Sequence, residues 1–175
     1  VLEQVQNGPR SVEEADRFFQ DKPYEDLGYA KLDLHRRTRS GYPEVVFCQG
    51  KENAYLTGIF KTLYEKNGLV MGTRASSEQA ELVKEALSSA EYDPVSRILK
   101  AAAPGSILPQ KGRIAVCSGG TADIAAAEEA AQTAEFFGAR VDRIYDVGVS
   151  GLHRLLSRLE QIRKANVVIA VAGME

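Results

Sequence analysis

The clearest hydrophobic pattern lies in the C-terminal part of the chain, where short apolar runs alternate with longer segments of helical periodicity. The apolar runs, each typical of a strand, are residues 114–117, 140–145 and 166–172. Segments 121–137 and 152–164 lie between them and carry apolar residues at the spacing of one helix face. Strands and helices that alternate with short connections predict a parallel, doubly wound sheet with right-handed crossovers.

The last apolar run, residues 166–172, has almost no polar residue, which is typical of an inner strand covered on both faces. Gly173, Met174 and Glu175 follow it and end the sequence. Ligands of open parallel sheets bind beyond the carboxyl ends of the strands. We therefore expect the sequence to end at the edge of its own binding site, and the natural protein to continue beyond Glu175.

The first 24 residues predict a helix or arm ahead of the first domain. Residues 1–10 have a weak pattern and are interpreted as a tail or packing arm. Ser11 precedes a helical pattern, and Glu14 stands three residues on, which is the spacing of a capping box. Pro23 is expected to end that helix, because the residue before a proline disfavours the helical conformation.

Residues 25–102 predict a small α/β domain in which strand-like and helix-like stretches follow one another. The predicted strands and helices are residues 28–35, 44–49 and 69–72, and residues 50–67 and 77–87. An apolar segment at 95–99 predicts either a fourth strand or an edge that faces a partner. Residues 103–112 contain two prolines and two glycines and predict the linker to a second domain at 113–175.

Composition and charge exclude several classes of function. At 44% hydrophobic and 26% charged residues, the 175-residue chain is typical of a soluble globular protein. Its net charge of −2 argues against nucleic-acid binding, and no apolar run approaches the roughly 20 residues of a membrane span. Cys48 and Cys117 form no CxxC pair, so we predict a cytoplasmic, reduced protein without structural zinc. Both cysteines are expected to pack as small apolar residues.

The turn after the first strand of the second domain carries the strongest candidate chemistry. It reads Ser118-Gly119-Gly120-Thr121-Ala122-Asp123. Glycines allow a sharp turn, and the N–H groups at the start of the next helix favour an anion. The hydroxyl groups and the carboxylate of this turn suit a sugar or a phosphate. Simple capping of the helix by Thr121 or Asp123 remains an open alternative.

Two more turns should meet this one, because parallel strands end at the same edge of a sheet. The turns that would meet are residues 118–123, 146–154 and 173–175. His153 could then carry a proton near neutral pH, and Glu175 could bind Mg²⁺ beside phosphate oxygens. A structural histidine and an exposed end residue are the plainer alternatives.

A basic cluster at residues 35–43 contains Arg36, Arg37 and Arg39 beside Gly41. Arginine side chains bind phosphate and carboxylate through paired hydrogen bonds, so this cluster could hold an anion. A solvated loop is the more common role of such a segment.

Motifs in both domains resemble the LarB family. In the second domain they are the turn 118–123, Val-Gly-Val-Ser-Gly-Leu-His-Arg at 147–154, and Ala-Gly-Met-Glu at 172–175. In the first domain they are Ala-Lys-Leu-Asp-Leu-His-Arg at 30–36, Gly-Tyr-Pro-Glu-Val-Val-Phe-Cys-Gln-Gly-Lys at 41–51, and Thr-Arg-Ala at 73–75. The resemblance covers nearly the whole chain from about residue 25.

The resemblance implies a pyridinium-3,5-biscarboxylic acid mononucleotide synthase. Such enzymes carboxylate nicotinic acid adenine dinucleotide with CO2 or bicarbonate and split its phosphoanhydride, releasing AMP. This is the first step toward the nickel-pincer cofactor of lactate racemase. The implied fold is a small α/β domain followed by a PurE-like, Rossmann-like domain with a doubly wound sheet. The implied assembly is a homo-oligomer, with Mg²⁺ and no bound organic cofactor.

The resemblance also implies the site residues. His153 and Glu175 would be catalytic, and Glu175 would hold the metal. Nucleotide binding would fall to the turn residues, to the His-Arg element and to three cations of the first domain. These binding residues are Ser118, Gly119, Gly120, Thr121, Asp123, Gly151, Arg154, Arg36, Lys51 and Arg74. The three first-domain cations are expected to approach the same edge of the sheet or a neighbouring subunit.

The family's nucleophilic cysteine would lie beyond Glu175, and neither Cys48 nor Cys117 matches it. We therefore expect that these 175 residues alone do not turn over. Two other functions stay open. One is a PurE-type aminoimidazole ribonucleotide carboxylase or mutase, and the other is a non-enzymatic nucleotide-binding module.

Overall fold

The computed structural model describes residues 2–20, 23–106 and 108–173. The helices in chain order are α1 (Leu2–Gln6), α2 (Val12–Gln20), α3 (Arg36–Ser40), α4 (Asn53–Asn67), α5 (Ser77–Ala86), α6 (Ile124–Phe136), α7 (Leu152–Ser157) and α8 (Leu159–Arg163). The strands are β1 (Tyr24–Asp26), β2 (Lys31–Asp33), β3 (Val45–Phe47), β4 (Leu69–Thr73), β5 (Ala90–Asp93), β6 (Ile98–Ala102), β7 (Arg113–Ser118), β8 (Arg140–Ile144) and β9 (Val167–Val171). The protein thus has the α/β fold that the sequence predicts.

The described strands form three sheets. Strands β1 and β2 make an antiparallel hairpin. A mixed sheet has the order β3-β4-β6-β5, in which β3 and β4 run parallel and the other two pairs are antiparallel. The third sheet has the order β8-β7-β9, and both of its pairs are parallel.

Helices cover both faces of the parallel sheet. On one face, Ala127 and Ala131 of α6 pack against Val116 of β7. On the other face, Leu155 of α7 and Ile162 of α8 pack against a cluster that includes β7 and β8 residues. This arrangement confirms the predicted parallel, doubly wound sheet. The predicted helix at 152–164 is divided in two at Arg158, between α7 and α8.

The predicted inner position of the last strand is wrong for the described part of the sheet. There, β7 is the central strand and β9 pairs with β7 alone. Val167 and Val168 of β9 are 52% and 49% exposed. The apolar composition of residues 166–172 suits a strand in many positions, and the order of the strands decides which strand lies inside.

The mixed sheet packs against α4 and α5 through a large apolar core. Phe60 and Val83 of these helices are fully buried in one cluster with Val70 and Leu99 of the sheet. Gly72 allows this packing, because a Cβ at that position would lie 2.6 Å from the Phe60 ring.

Helix α6 also contacts the first part of the chain, so it lies between two groups of elements. Its Glu129 pairs with Arg74 at 3.3 Å, and Gln132 donates a hydrogen bond to Asp93 at 2.8 Å. Small alanine side chains allow this helix to approach the parallel sheet closely on its other side. The division into domains at residues 103–112 stays a prediction; the described residues of that stretch contain neither helix nor strand.

The first 43 residues differ from the prediction in detail. The weak pattern at 1–10 contains the short helix α1, and the capping box of α2 is present between Ser11 and Glu14. Pro23 follows α2, which ends at Gln20. The predicted strand at 28–35 is only β2, because the chain turns back on itself to pair β2 with β1.

The basic segment at 35–43 is not the predicted loop. It contains helix α3, which ends at Gly41 with a φ of +83°. Of the two alternatives for the segment at 95–99, the fourth strand is confirmed in part: residues up to Arg97 form a turn, and β6 begins at Ile98 as an inner strand of the sheet.

Substitution of the N-cap of α5 should measurably destabilise the protein. Ser76 Oγ accepts the Gln79 N–H at 3.1 Å, and Gln79 Oε1 accepts the Ser76 N–H at 3.0 Å. Ser76→Ala should lower the free energy of unfolding by about 1 kcal/mol, because it leaves a helix N–H unsatisfied. Urea denaturation measures the change. The neighbouring exposed Ser77→Ala should change it by less than about 0.5 kcal/mol, and equal losses would contradict the assignment of the cap.

The ion pair between Arg113 and Asp142 should make stability depend on acid pH. Hydrogen bonding to the Arg113 side chain lowers the pKa of Asp142, whose side chain is only 11% exposed. This contribution is complete above the carboxyl pKa of the unfolded chain, about 4, and is lost as pH falls through the lower native pKa. We expect Asp142→Asn to show a smaller acid-induced loss in urea denaturation. If the free energy of unfolding falls equally with pH in both proteins, the ion pair does not contribute to the acid dependence.

Candidate functional site

The glycine turn after β7 is closed by its own hydrogen bonds. The Gly119 N–H donates to the Val171 carbonyl at 2.9 Å, which joins the turn to the end of β9. The Gly120 N–H donates to Asp123 Oδ2 at 2.9 Å. The capping alternative therefore holds for this oxygen, and the glycine N–H groups are not available to a phosphate. The donors left for an anion are the first N–H groups of the helical turn that starts at Thr121.

Asp123 lies beside the turn that follows β9. A Cβ placed on Gly173 would lie 3.9 Å from Asp123 Oδ1. This oxygen is on the side of the carboxylate that does not bind Gly120. The half-buried Asp123 and the exposed Thr121 thus border the gap between the ends of β7 and β9.

Ser118 connects the glycine turn to the turn after β8. Its Oγ accepts the Asp146 N–H at 3.1 Å, and its carbonyl accepts the Val147 N–H at 2.9 Å. The next carbonyl, of Gly119, accepts the Gly148 N–H at 2.9 Å. Ser118 is only 1% exposed, so in this structure its hydroxyl holds the second turn in place.

Asp146 and Gly151 position the guanidinium of Arg154. Asp146 has a φ of +58°, and its Oδ2 lies 2.5 Å from Arg154 Nη1. A Cβ on Gly151 would lie 2.5 Å from Arg154 Nε, so a side chain at this position would displace the guanidinium from where it lies in this structure. His153 lies in the first turn of α7 with an exposed side chain, and no hydrogen bond or ion pair to another described residue holds its ring.

The connections place a crevice between β7 and β9. The chain leaves β7 through α6 on one face of the sheet and reaches β9 through α7 and α8 on the other. A change of face of this kind opens a gap at the carboxyl ends of the two strands, where ligands of doubly wound sheets bind. The turns at 118–123 and 146–151 and Gly173 are joined around this gap by the contacts above. As expected, the turns after β7 and β8 lie at one edge together with Gly173; Met174 and Glu175 of the third turn lie outside the described residues.

The three candidate cations of the first domain follow or lie on other elements than the strands of the parallel sheet. Arg36 is exposed on α3, Lys51 follows β3, and Arg74 follows β4 and pairs with Glu129. Among the described residues, no hydrogen bond or ion pair joins these three side chains to the turns after β7 and β8. Glu175 lies outside the described residues.

Both thiols are buried. Burial raises the pKa of Cys48 to about 12, against the smaller opposite effects of the Lys51 and Arg97 charges. Burial also raises the pKa of Cys117. The thiolate is the nucleophilic form, so neither cysteine is activated near neutral pH. This confirms the prediction that both cysteines pack as apolar residues.

The described ranges lack two kinds of feature, a metal-binding cluster and a membrane-spanning helix. No cluster of three or more histidine, cysteine, aspartate and glutamate side chains able to hold a metal ion occurs in them. In the same ranges, every helix is too short or too polar to cross a membrane.

Sequence reasoning missed the role of Asp146. The signal was present, because an Asp in the turn after a strand is one of the few non-glycine residues that tolerate a positive φ. Its pairing with Arg154 could not be inferred, since seven residues separate the two.

Comparison with known proteins gives two matches. The family described as LarB/PurE-like N-terminal domain matches residues 24–103. The uncharacterized protein MJ0165 of Methanocaldococcus jannaschii is 32% identical to this chain over 185 residues. That alignment covers 100% of this chain and 72% of the relative.

Proposed function

The chain belongs to the LarB/PurE-like family, and from this premise we propose that it binds nicotinic acid adenine dinucleotide for carboxylation of the pyridinium ring and release of AMP. The observation that carries the proposal is the meeting of three segments at one edge of the parallel sheet, where its topology places a crevice between β7 and β9. The turn after β8 is hydrogen-bonded to Ser118, and Asp123 of the turn after β7 lies beside Gly173.

The residues at the crevice suit a dinucleotide. A carboxylate such as that of Asp123 accepts hydrogen bonds from ribose hydroxyl groups, as acidic residues do in nucleotide sites. The Arg154 guanidinium can bind phosphate oxygens while Asp146 fixes its orientation. The first N–H groups of the helical turn at Thr121 add an electropositive end. These groups together would hold the ribose and the diphosphate.

The carboxylation itself needs activation of the ring. A pyridinium ring is electron-poor and does not attack CO2. A thiolate that adds to the ring makes a dihydropyridine with an enamine-like, nucleophilic carbon. That carbon forms the bond to CO2, a base removes the proton from the same carbon, and the thiolate leaves to restore the aromatic ring.

Within this reaction, the described residues would bind and orient the substrate and would move protons. The exposed His153 is our candidate for a proton carrier, because an imidazole ring can both accept and donate a proton. Neither Cys48 nor Cys117 fits the thiolate, since both are buried with raised pKa values.

Mg²⁺ and self-association belong to the proposal as well. Mg²⁺ is commonly held by one or two carboxylates together with substrate phosphates, so it needs no large set of protein ligands. Glu175 and the substrate diphosphate would hold it here, where its charge would assist cleavage of the phosphoanhydride. The exposed Val167 and Val168 are apolar surface of the kind that a second subunit covers.

The experiment offers two acceptors to the full-length natural protein in the presence of isotope-labelled bicarbonate. One acceptor is nicotinic acid adenine dinucleotide and the other is aminoimidazole ribonucleotide. We expect label in a pyridinium dicarboxylate mononucleotide, with AMP released. Label in the imidazole alone would favour a PurE-type reaction. Label in neither product would favour a binding module.

Arg154→Gln should weaken binding of the dinucleotide at the crevice. The change removes a guanidinium that Asp146 orients, and a charge-assisted hydrogen bond of this kind is worth about 1.5–3 kcal/mol. The KM for the dinucleotide should rise at least about tenfold. Arg158→Gln, four residues on, is the matched control and should leave KM unchanged in steady-state kinetics. Equal effects of both substitutions would remove Arg154 from the site.

A further inference from the structure

A second set of loops meets at the carboxyl edge of the mixed sheet. Residues 48–52 follow β3, and residues 74–76 follow its parallel neighbour β4. The Cys48 N–H donates to the Thr73 carbonyl at 2.9 Å, which joins the first loop to the end of β4. Strand β6 runs antiparallel to β4, so the turn that ends at Arg97 lies at the same edge.

A buried glutamine fixes the first two loops. Gln79 is 7% exposed, and its Nε2 donates to the carbonyls of Cys48 at 3.1 Å and Lys51 at 3.2 Å. Its Oε1 accepts the Ser76 N–H from the second loop. Lys51 is therefore carried on a backbone that is fixed from beneath by hydrogen bonds.

Arg97 is fixed from the third turn without a carboxylate. Its Nε donates to the Ala75 carbonyl and its Nη2 to the Arg74 carbonyl, both at 3.1 Å. Its own carbonyl accepts the Ala75 N–H at 3.0 Å. These bonds hold the guanidinium in place through neutral groups and leave its positive charge uncompensated.

The charges at this edge do not balance within the described residues. Arg74 is neutralised by Glu129 at 3.3 Å. Lys51 and Arg97 make no ion pair with any described carboxylate, in contrast with Arg113 and Arg154. Hydrogen bonds link both residues to the loop after β4: Gln79 bridges the Lys51 carbonyl and the Ser76 N–H, and Arg97 Nε donates to the Ala75 carbonyl.

We propose that the carboxyl edge of β3 and β4 is an anion site that binds a phosphate group through Lys51 and Arg97. A fixed guanidinium with a free Nη1 matches the oxygens of a phosphate, and a lysine adds a mobile point charge. The site is distinct from the crevice after β7 and goes beyond the proposed function. The phosphate can belong to a nucleotide or be a free anion.

The test titrates the full chain with inorganic pyrophosphate while backbone amide signals are followed by NMR. We expect saturable shifts at millimolar pyrophosphate in the loops at 48–52, 74–76 and 94–97. Lys51→Gln should weaken binding about tenfold, the loss of one charge-assisted contact. Lys61→Gln removes the same charge from the exposed surface of α4 and should leave the affinity unchanged. Lys51→Arg should retain binding.

A second arm identifies the source of the phosphate. AMP and inorganic phosphate are compared on the same amide signals. Tighter binding of AMP supports the site as a nucleotide site, and equal binding supports it as a free-anion site. The proposal is overturned if none of the three loops shows a saturable shift, or if Lys51→Gln and Lys61→Gln have the same affinity.

Discussion

Asp123→Asn should lower kcat/KM for nicotinic acid adenine dinucleotide by about 10- to 100-fold, the loss expected for one charge-assisted hydrogen bond. Asparagine is chosen because its amide oxygen can still accept the Gly120 N–H that closes the turn. The fold should therefore survive while the charge that faces the crevice is lost. Steady-state kinetics and thermal unfolding of the same preparations measure the two effects.

The controls separate the charge from the turn. Asp123→Ala removes both the charge and the closing hydrogen bond, so activity should fall at least as far and stability should fall as well. Glu65→Gln makes the same carboxylate-to-amide change on the exposed surface of α4 and should leave kinetics unaltered. Full activity of Asp123→Asn would reduce Asp123 to a capping residue.

Phe60→Ala should cost about 3–5 kcal/mol of unfolding free energy, enough to unfold a marginally stable domain. Phe60 is 0% exposed and lies against Gly72, where a Cβ would be 2.6 Å from its ring. Alanine would leave a cavity at the centre of the core under β4. Urea denaturation with far-UV circular dichroism measures the loss.

Tyr55→Ala is the matched control on the same helix. Tyr55 is 41% exposed and stacks on Tyr29 with ring centroids 4.4 Å apart. Its removal should cost no more than about 1.5 kcal/mol, the value of an aromatic pair. A similar loss for both substitutions would mean that the core is not centred on Phe60.

The parallel sheet was predictable because its signal is strong and local. Three apolar runs separated by long helical segments allow few arrangements, and short connections make the sheet parallel. The edge position of β9 was not predictable in this way. It depends on the order of the strands in the sheet. The apolar sequence around Val167 is the same whether or not a neighbouring strand covers it.

The basic residues show the other limit of the sequence. Helix α3 has no buried residue, so its sequence lacks the apolar periodicity that predicts a helix. Lys51 and Arg74 were expected to approach the edge that holds Asp123 or a neighbouring subunit; they follow strands of the mixed sheet, and their approach to that edge stays a prediction. The sequence predicted no role for Arg97, because the pairing of β6 with β4 is what brings Arg97 to the edge where Lys51 lies.

The candidate site was partly readable from its turns. Parallel strands bring their carboxyl ends together, which is why residues 118–123 and 146–151 could be grouped before any contact was known. The sequence did not predict which side-chain oxygens of these turns face a ligand and which bind the backbone. Ser118 carries a hydroxyl that suits a ligand, yet it is buried and binds Asp146.

An NMR titration of the full chain with nicotinic acid adenine dinucleotide tests the crevice most directly. If the crevice between β7 and β9 binds the dinucleotide, the amide signals of Gly119, Asp123, Gly148, Gly151 and Gly173 will shift together and saturate at one ligand concentration. Signals that stay in place at these positions, while the dinucleotide binds elsewhere or not at all, would contradict the proposed role of the crevice.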